Sequence, residues 1–235
     1  MKRTLASLVI GLSLFIGAPT SAWAQDYYKG LRAHDRGDYT TALREWRPLA
    51  EEGDSSAQFN LGLMYSEGRG VVQDYKEAFK WYQKATEQRV GAAQHNLGFM
   101  YERGRGVVQD YKEAVKWYRL AAEQGLAIAQ YNLGVMYGNG NGVIQDYKEA
   151  VKWYRLAAEQ GDADAQNDLG ASYNNGEGVV QNNITALMWF NIAASNGDAD
   201  ATNNGDTVAQ DMTAADISKA QQLARECVAR NYKGC

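Results

Sequence analysis

Ala57-Gln58-Phe59-Asn60-Leu61-Gly62 returns as Ala93-Gln94-His95-Asn96-Leu97-Gly98, as Ala129-Gln130-Tyr131-Asn132-Leu133-Gly134 and as Ala165-Gln166-Asn167-Asp168-Leu169-Gly170, each copy 36 residues after the last. Self-similarity at a period between roughly 20 and 50 residues marks a solenoid, in which each unit buries its apolar face on its neighbour and none folds alone. Such an architecture offers a long surface before it offers a catalytic pocket.

Working outward from the first copy, residues 54–89 hold two helical patterns separated by Gly68-Arg69-Gly70-Val71-Val72-Gln73. Glycine after an apolar-periodic run supplies the positive φ that stops a helix. Asp74 then stands as N-cap with Glu77 three residues on, the spacing of a capping box, and Asp110 with Glu113 and Asp146 with Glu149 repeat it. In the fourth copy Asn182 keeps the cap while Thr185 replaces the acid, which predicts a weaker helix start. On each second helix an i, i+3, i+4, i+7 stripe recurs, as in Ala78, Trp81, Tyr82, Ala85 and in Ala186, Trp189, Phe190, Ala193. An aromatic ladder of this kind could stack on sugars or bases. Its helical spacing, with alanines facing rings, fits interlocking core better.

The run Ala-x-x-x-Leu-Gly-x-x-Tyr-x-x-Gly-x-Gly-Val, followed by Asp-Tyr-x-Glu-Ala-x-x-Trp-Tyr-x-x-Ala-Ala-Glu-x-Gly, resembles the Sel1-like repeat, a relative of the tetratricopeptide repeat with a longer interhelical loop. The resemblance implies an all-α chain, an α/α solenoid of helix pairs that acts as an adaptor and names no partner. Units fall at 54–89, 90–125, 126–161 and 162–197. Residues 25–53 are similar to a degenerate tetratricopeptide unit, in which Pro48 is expected to bend or restart the second helix because proline removes a helix hydrogen bond. Residues 198–235 read as a degenerate unit and a C-terminal capping helix from Thr213 to Arg230, with Ile217, Ala220, Leu223, Ala224 and Cys227 on one side.

The first 24 residues run from Met1-Lys2-Arg3 through an apolar stretch, Leu5 to Ile16, to Ala22-Trp23-Ala24. A basic start, a short apolar run and small residues two apart predict a secretory signal peptide cleaved after Ala24. The run is too short for a membrane anchor, so no stable membrane insertion is expected after cleavage, and the mature chain is expected in the periplasm or secreted. Its removal moves the formal charge from −4 to −6, because Lys2 and Arg3 leave and no acid does. Without a basic stripe there is no footprint for nucleic acid. Cys227 and Cys235, the two cysteines of the chain, are expected to form a disulfide on export that ties the tail to the last helix.

Comparing the units separates what packing fixes from what it leaves free. Ala57, Leu61 and Tyr65 return in every copy and span ~80° of a helix, which assigns them to the core face. Phe59, His95, Tyr131 and Asn167, then Leu63, Phe99 and Val135, then Glu102, change from copy to copy and fall at ~180–240° from Ala57, opposite that face. The resemblance implies that first helices line the concave groove, so this stripe is the candidate binding surface for another protein or peptide. The recurring Gln58, Gln94, Gln130 and Gln166 are expected to bond between units, the alternative being an amide ladder that grips a peptide backbone. His34 and His95 make no zinc site, no motif asks for a cofactor, and no catalytic residue is assigned. Some exported members of the family are linked with penicillin binding or β-lactam hydrolysis. Ser-x-x-Lys, Ser-Asp-Asn and Lys-Thr-Gly are all missing here, which favours a non-enzymatic adaptor, scaffold or regulator. Oligomeric state stays open.

Overall fold

A computed structural model describes residues 22–235. The described residues form twelve helices and no strand. They group as two compact bodies, residues up to Trp117 and residues from Tyr118 onward, the division falling inside one helix. The first body holds α1 (Ala22–Asp35) and α2 (Tyr39–Glu51), α3 (Ser55–Glu67) and α4 (Tyr75–Glu87), α5 (Gly91–Arg103) and the start of α6 (Tyr111–Glu123). In the second, α7 (Ala127–Asn139) pairs with α8 (Tyr147–Ala158) and α9 (Ala163–Asn175) with α10 (Asn183–Ser195), followed by α11 (Ala201–Ala209) and α12 (Ala214–Ala229). The signal-peptide reading falls on residues 1–24, of which 1–21 lie outside the described residues. Among the described residues no helix is long and apolar enough to cross a membrane.

Each unit closes in the same way. Gly68, Gly104, Gly140 and Gly176 sit in the left-handed region, and each donates its N–H to a carbonyl four residues back, such as Met64 O. The amide of Gln73 spans the loop to Ser66 O at 2.8 Å, as Gln109, Gln145 and Gln181 do in their units. Asp74 Oδ1 then caps α4 by accepting from the N–H groups of Lys76 and Glu77. The reciprocal half of the capping box is absent. The Asp74 N–H goes instead to Tyr65 O at 2.9 Å, and the carboxylate of Glu77 pairs with Lys80 at 2.8 Å. Asn182 accepts one N–H, from Thr185, where Asp74 and Asp146 accept two, in keeping with the weaker start expected of the fourth copy. Pro48 does not restart its helix, for α2 runs through it to Glu51. Proline forfeits its own N–H there, but its carbonyl still accepts from Glu52 N at 3.0 Å.

Helix pairs interlock through glycine and aromatic rings. A Cβ built on Gly62 would stand 2.5 Å from the ring of Tyr82, and one on Gly134 2.6 Å from that of Tyr154. The missing side chain is what lets the first helix approach the second. Trp81 and Trp189 are buried in the two cores, as the ladder of second-helix rings requires, whereas Trp117 and Trp153 are partly exposed. Burial pushes the Tyr82 phenol far above the usual tyrosine range.

The recurring glutamines serve the architecture. Gln58 Nε2 donates to Ala50 O, Gln130 Nε2 to Ala122 O and Gln166 Nε2 to Ala158 O, each at 3.1 Å, which satisfies the end of the preceding helix. Their carbonyl oxygens accept from Gln88, Gln160 and Asn196 at the end of the helix that follows in the same unit. A groove-facing amide ladder is therefore not what these residues build.

The tail folds back. Cys227 and Cys235 are bonded, with Cα atoms 5.7 Å apart. Tyr232 donates to Asn196 Oδ1 at 3.1 Å, and Lys233 lies 3.9 Å from Glu159. Unreduced, denatured protein recovered from cells is expected to show no free thiol on labelling, and two per chain after reduction. Two before reduction would mean that the bond does not form in the cell.

Candidate partner-binding surface

The stripe expected to face solvent is mostly interior. Phe59 is fully buried, His95 is 3% exposed and Tyr131 8%, while Leu63 and Phe99 are also buried. Only Glu102, Val135 and Asn167 of the eight keep part of their side chains accessible. The correction has a simple cause: a first helix packs against its own second helix, against the second helix of the unit before it, and along an edge against a neighbouring first helix. Phe59 and Leu63 of α3 share a core cluster with Ala93, Leu97 and Met100 of α5. Tyr131 of α7 clusters with Ala165 and Leu169 of α9 and donates its phenol to Asp168 Oδ2 at 2.9 Å. Asn60 of α3 reaches Tyr27 OH of α1 at 3.2 Å, and Asn204 of α11 reaches Asn167 Oδ1 of α9 at 2.9 Å. The positions vary between units because two neighbouring helices co-determine them, not because nothing touches them.

What remains accessible differs between the two bodies. In the first, Phe99 lies beside two guanidinium groups, Arg103 at 5.6 Å and Arg105 at 5.1 Å from the ring centre, and Arg103 pairs with Glu102 at 3.2 Å. Cation–π contacts of this kind hold the end of α5 and the following loop in one arrangement. In the second, Val135 packs against the core edge, and Asn167 presents a carbonyl already used by Asn204.

Sequence reasoning did not single out the arginines that join neighbouring units. Arg47 donates to Tyr65 OH at 2.6 Å and Arg155 to Tyr173 OH at 2.8 Å, with Arg119 and Tyr137 in the same relation. Their 18-residue offset crosses the unit boundary, so a comparison of unit with unit does not display the pair. Among the described residues no group of three or more His, Cys, Asp or Glu is placed to hold a metal.

This arrangement has close counterparts. The model of the Sel1 repeat matches residues 55–90, 91–126, 127–162 and 163–198, one residue later than the units read from the sequence. The crystal structure of c5321, a protective antigen present in uropathogenic Escherichia coli strains, displays an SLR fold and is 33% identical, with a TM-score of 0.78. The match covers 89% of the present chain but 46% of that one, so this chain spans about half its length. A Sel1 repeat protein from Oxalobacter formigenes is 34% identical, with a TM-score of 0.75 over 88% of this chain and 83% of its own. PilF of Pseudomonas aeruginosa shares the fold at 20% identity, with a TM-score of 0.60 over 91% of this chain and 93% of its own. A comparison with the curated proteins finds no match. Sel1 repeats as a class are protein-interaction scaffolds. With four matched repeats over more than half of its length, the chain belongs to the Sel1 repeat family.

Proposed function

We propose that this protein is a non-enzymatic adaptor or scaffold of the bacterial cell envelope, exported to the periplasm or secreted, which holds a protein or peptide on the side lined by its first helices. One observation carries this reading: within the second body the first helices keep stripe residues of different chemistry partly accessible, an aliphatic at Val135 and an amide at Asn167. A surface so varied on a repeated frame suits one particular partner. The basic and apolar pattern of the first 24 residues, the disulfide and the likeness to a protein described as a protective antigen support placement beyond the inner membrane.

The test is capture by crosslinking in the native compartment. Because Phe99 and Tyr131 are buried, truncating them would disturb the fold, so the informative variant is Val135→Arg with Asn167→Arg. It is expected to keep its circular dichroism spectrum and to lose the partner at least tenfold, the effect of placing unmatched charge in an interface. Lys112→Ala with Lys148→Ala, both exposed at second-helix starts, should bind as the parent does. Loss of capture by the lysine variant alone would move the site to the other side of the units.

A further inference from the structure

The end of the chain departs from the hairpins before it. α11 has 9 residues where the other repeat first helices have 13, and α12 begins after a four-residue link, 210–213, without the glycine-bracketed loop. α12 packs on α10, and the Cys227–Cys235 bond with the Tyr232 and Lys233 contacts holds it there. Between α10 and α12 the packing leaves an open groove of about 530 Å³, lined by residues of these two helices.

Its floor is apolar and buried, with Ile192 1% and Ala224 8% exposed, and Val228, 44% exposed, forms a wall. Arg225 is the one charged residue in the lining. No carboxylate among the described residues pairs with it, and the neighbouring acid, Glu226, instead accepts from Gln222 at 2.7 Å. From Gln221 to Ala229 the lining follows α12 for about 12 Å, the length of an extended chain of about nine carbons. The volume lies within the range of small-molecule sites, which combine apolar walls with few polar groups. An unpaired guanidinium at the edge of such a groove selects a planar anion, for which its paired donors are matched, over a neutral or cationic head.

We propose that this groove binds a medium-chain carboxylate, its alkyl body lying along Ile192, Ala224 and Val228 and its carboxylate on Arg225. The mature protein is titrated with decanoate, below the concentration at which it forms micelles, by calorimetry and by amide NMR. One saturable site is expected, with shifts centred on α10 and α12. Decanol and decyltrimethylammonium should bind at least tenfold more weakly. Arg225→Gln, an exposed change that breaks no contact, should weaken decanoate about tenfold. Ala229→Trp, at the exposed end of α12, should fill the groove and abolish binding while the helical spectrum is retained. No saturable decanoate binding, or unchanged affinity in Arg225→Gln, overturns the proposal. So does sedimentation with anionic lipid vesicles by a protein that ignores free decanoate, because the surface would then belong to a membrane.

Discussion

Trp189→Ala is expected to destabilise the second body by about 3–5 kcal/mol, the cost of removing the largest side chain from a packed interior. Its indole is 1% exposed and shares a cluster with Tyr154, Ala157 and Leu169 of the two preceding helices. The equivalent change at Trp117 should cost about 2 kcal/mol, because that ring is only partly buried and one flank lies against Lys116 in solvent. Chemical denaturation of the two variants checks the pair. Equal losses would mean that the ladder packs alike in every unit, contrary to the exposures described above.

Gly134→Ala is the second large effect, and it runs against helix propensity. Alanine at a helix interior is intrinsically favoured by about 1 kcal/mol over glycine. At this position the added Cβ would lie 2.6 Å from two carbons of the Tyr154 ring and 3.1 Å from Ala150 O, so the helices must separate. A net destabilisation of about 2 kcal/mol is expected. Gly138, one turn further along the same helix, is the control. There the nearest atoms are the Tyr154 hydroxyl at 3.2 Å and Ala150 Cβ at 3.7 Å, and Gly138→Ala should be neutral or stabilise by up to about 1 kcal/mol. Thermal melts of both variants separate the two causes, since propensity alone predicts the same sign for each.

Most of the architecture was legible because its signals are local and repeated. The 36-residue recurrence, the Asp caps and the Leu-Gly pair each act within a few residues of where they are written. The burial of the candidate stripe was less legible. Assigning Ala57, Leu61 and Tyr65 to the core treated the first helix as having one buried face, yet Phe59, Leu63, Phe99 and Tyr131 are themselves apolar and lie opposite. A helix that is apolar all round is enclosed on several sides, and that composition was the available sign. The groove beside α12 could not be read at all, because it depends on where a helix outside the repeat pattern comes to rest.

The amide junctions carry a consequence for how such a chain can change over time. Gln130 with Ala122 and Gln160 presents the same donors and acceptors as Gln166 with Ala158 and Asn196. The leading edge of one unit is therefore chemically interchangeable with that of the next. Duplication or loss of a gene segment encoding one whole unit leaves each junction matched, whereas a partial unit inserted at a junction strands a buried amide. Lineages of this protein should differ in length by whole units, with the specialised first hairpin and disulfide-tied tail kept as fixed bookends.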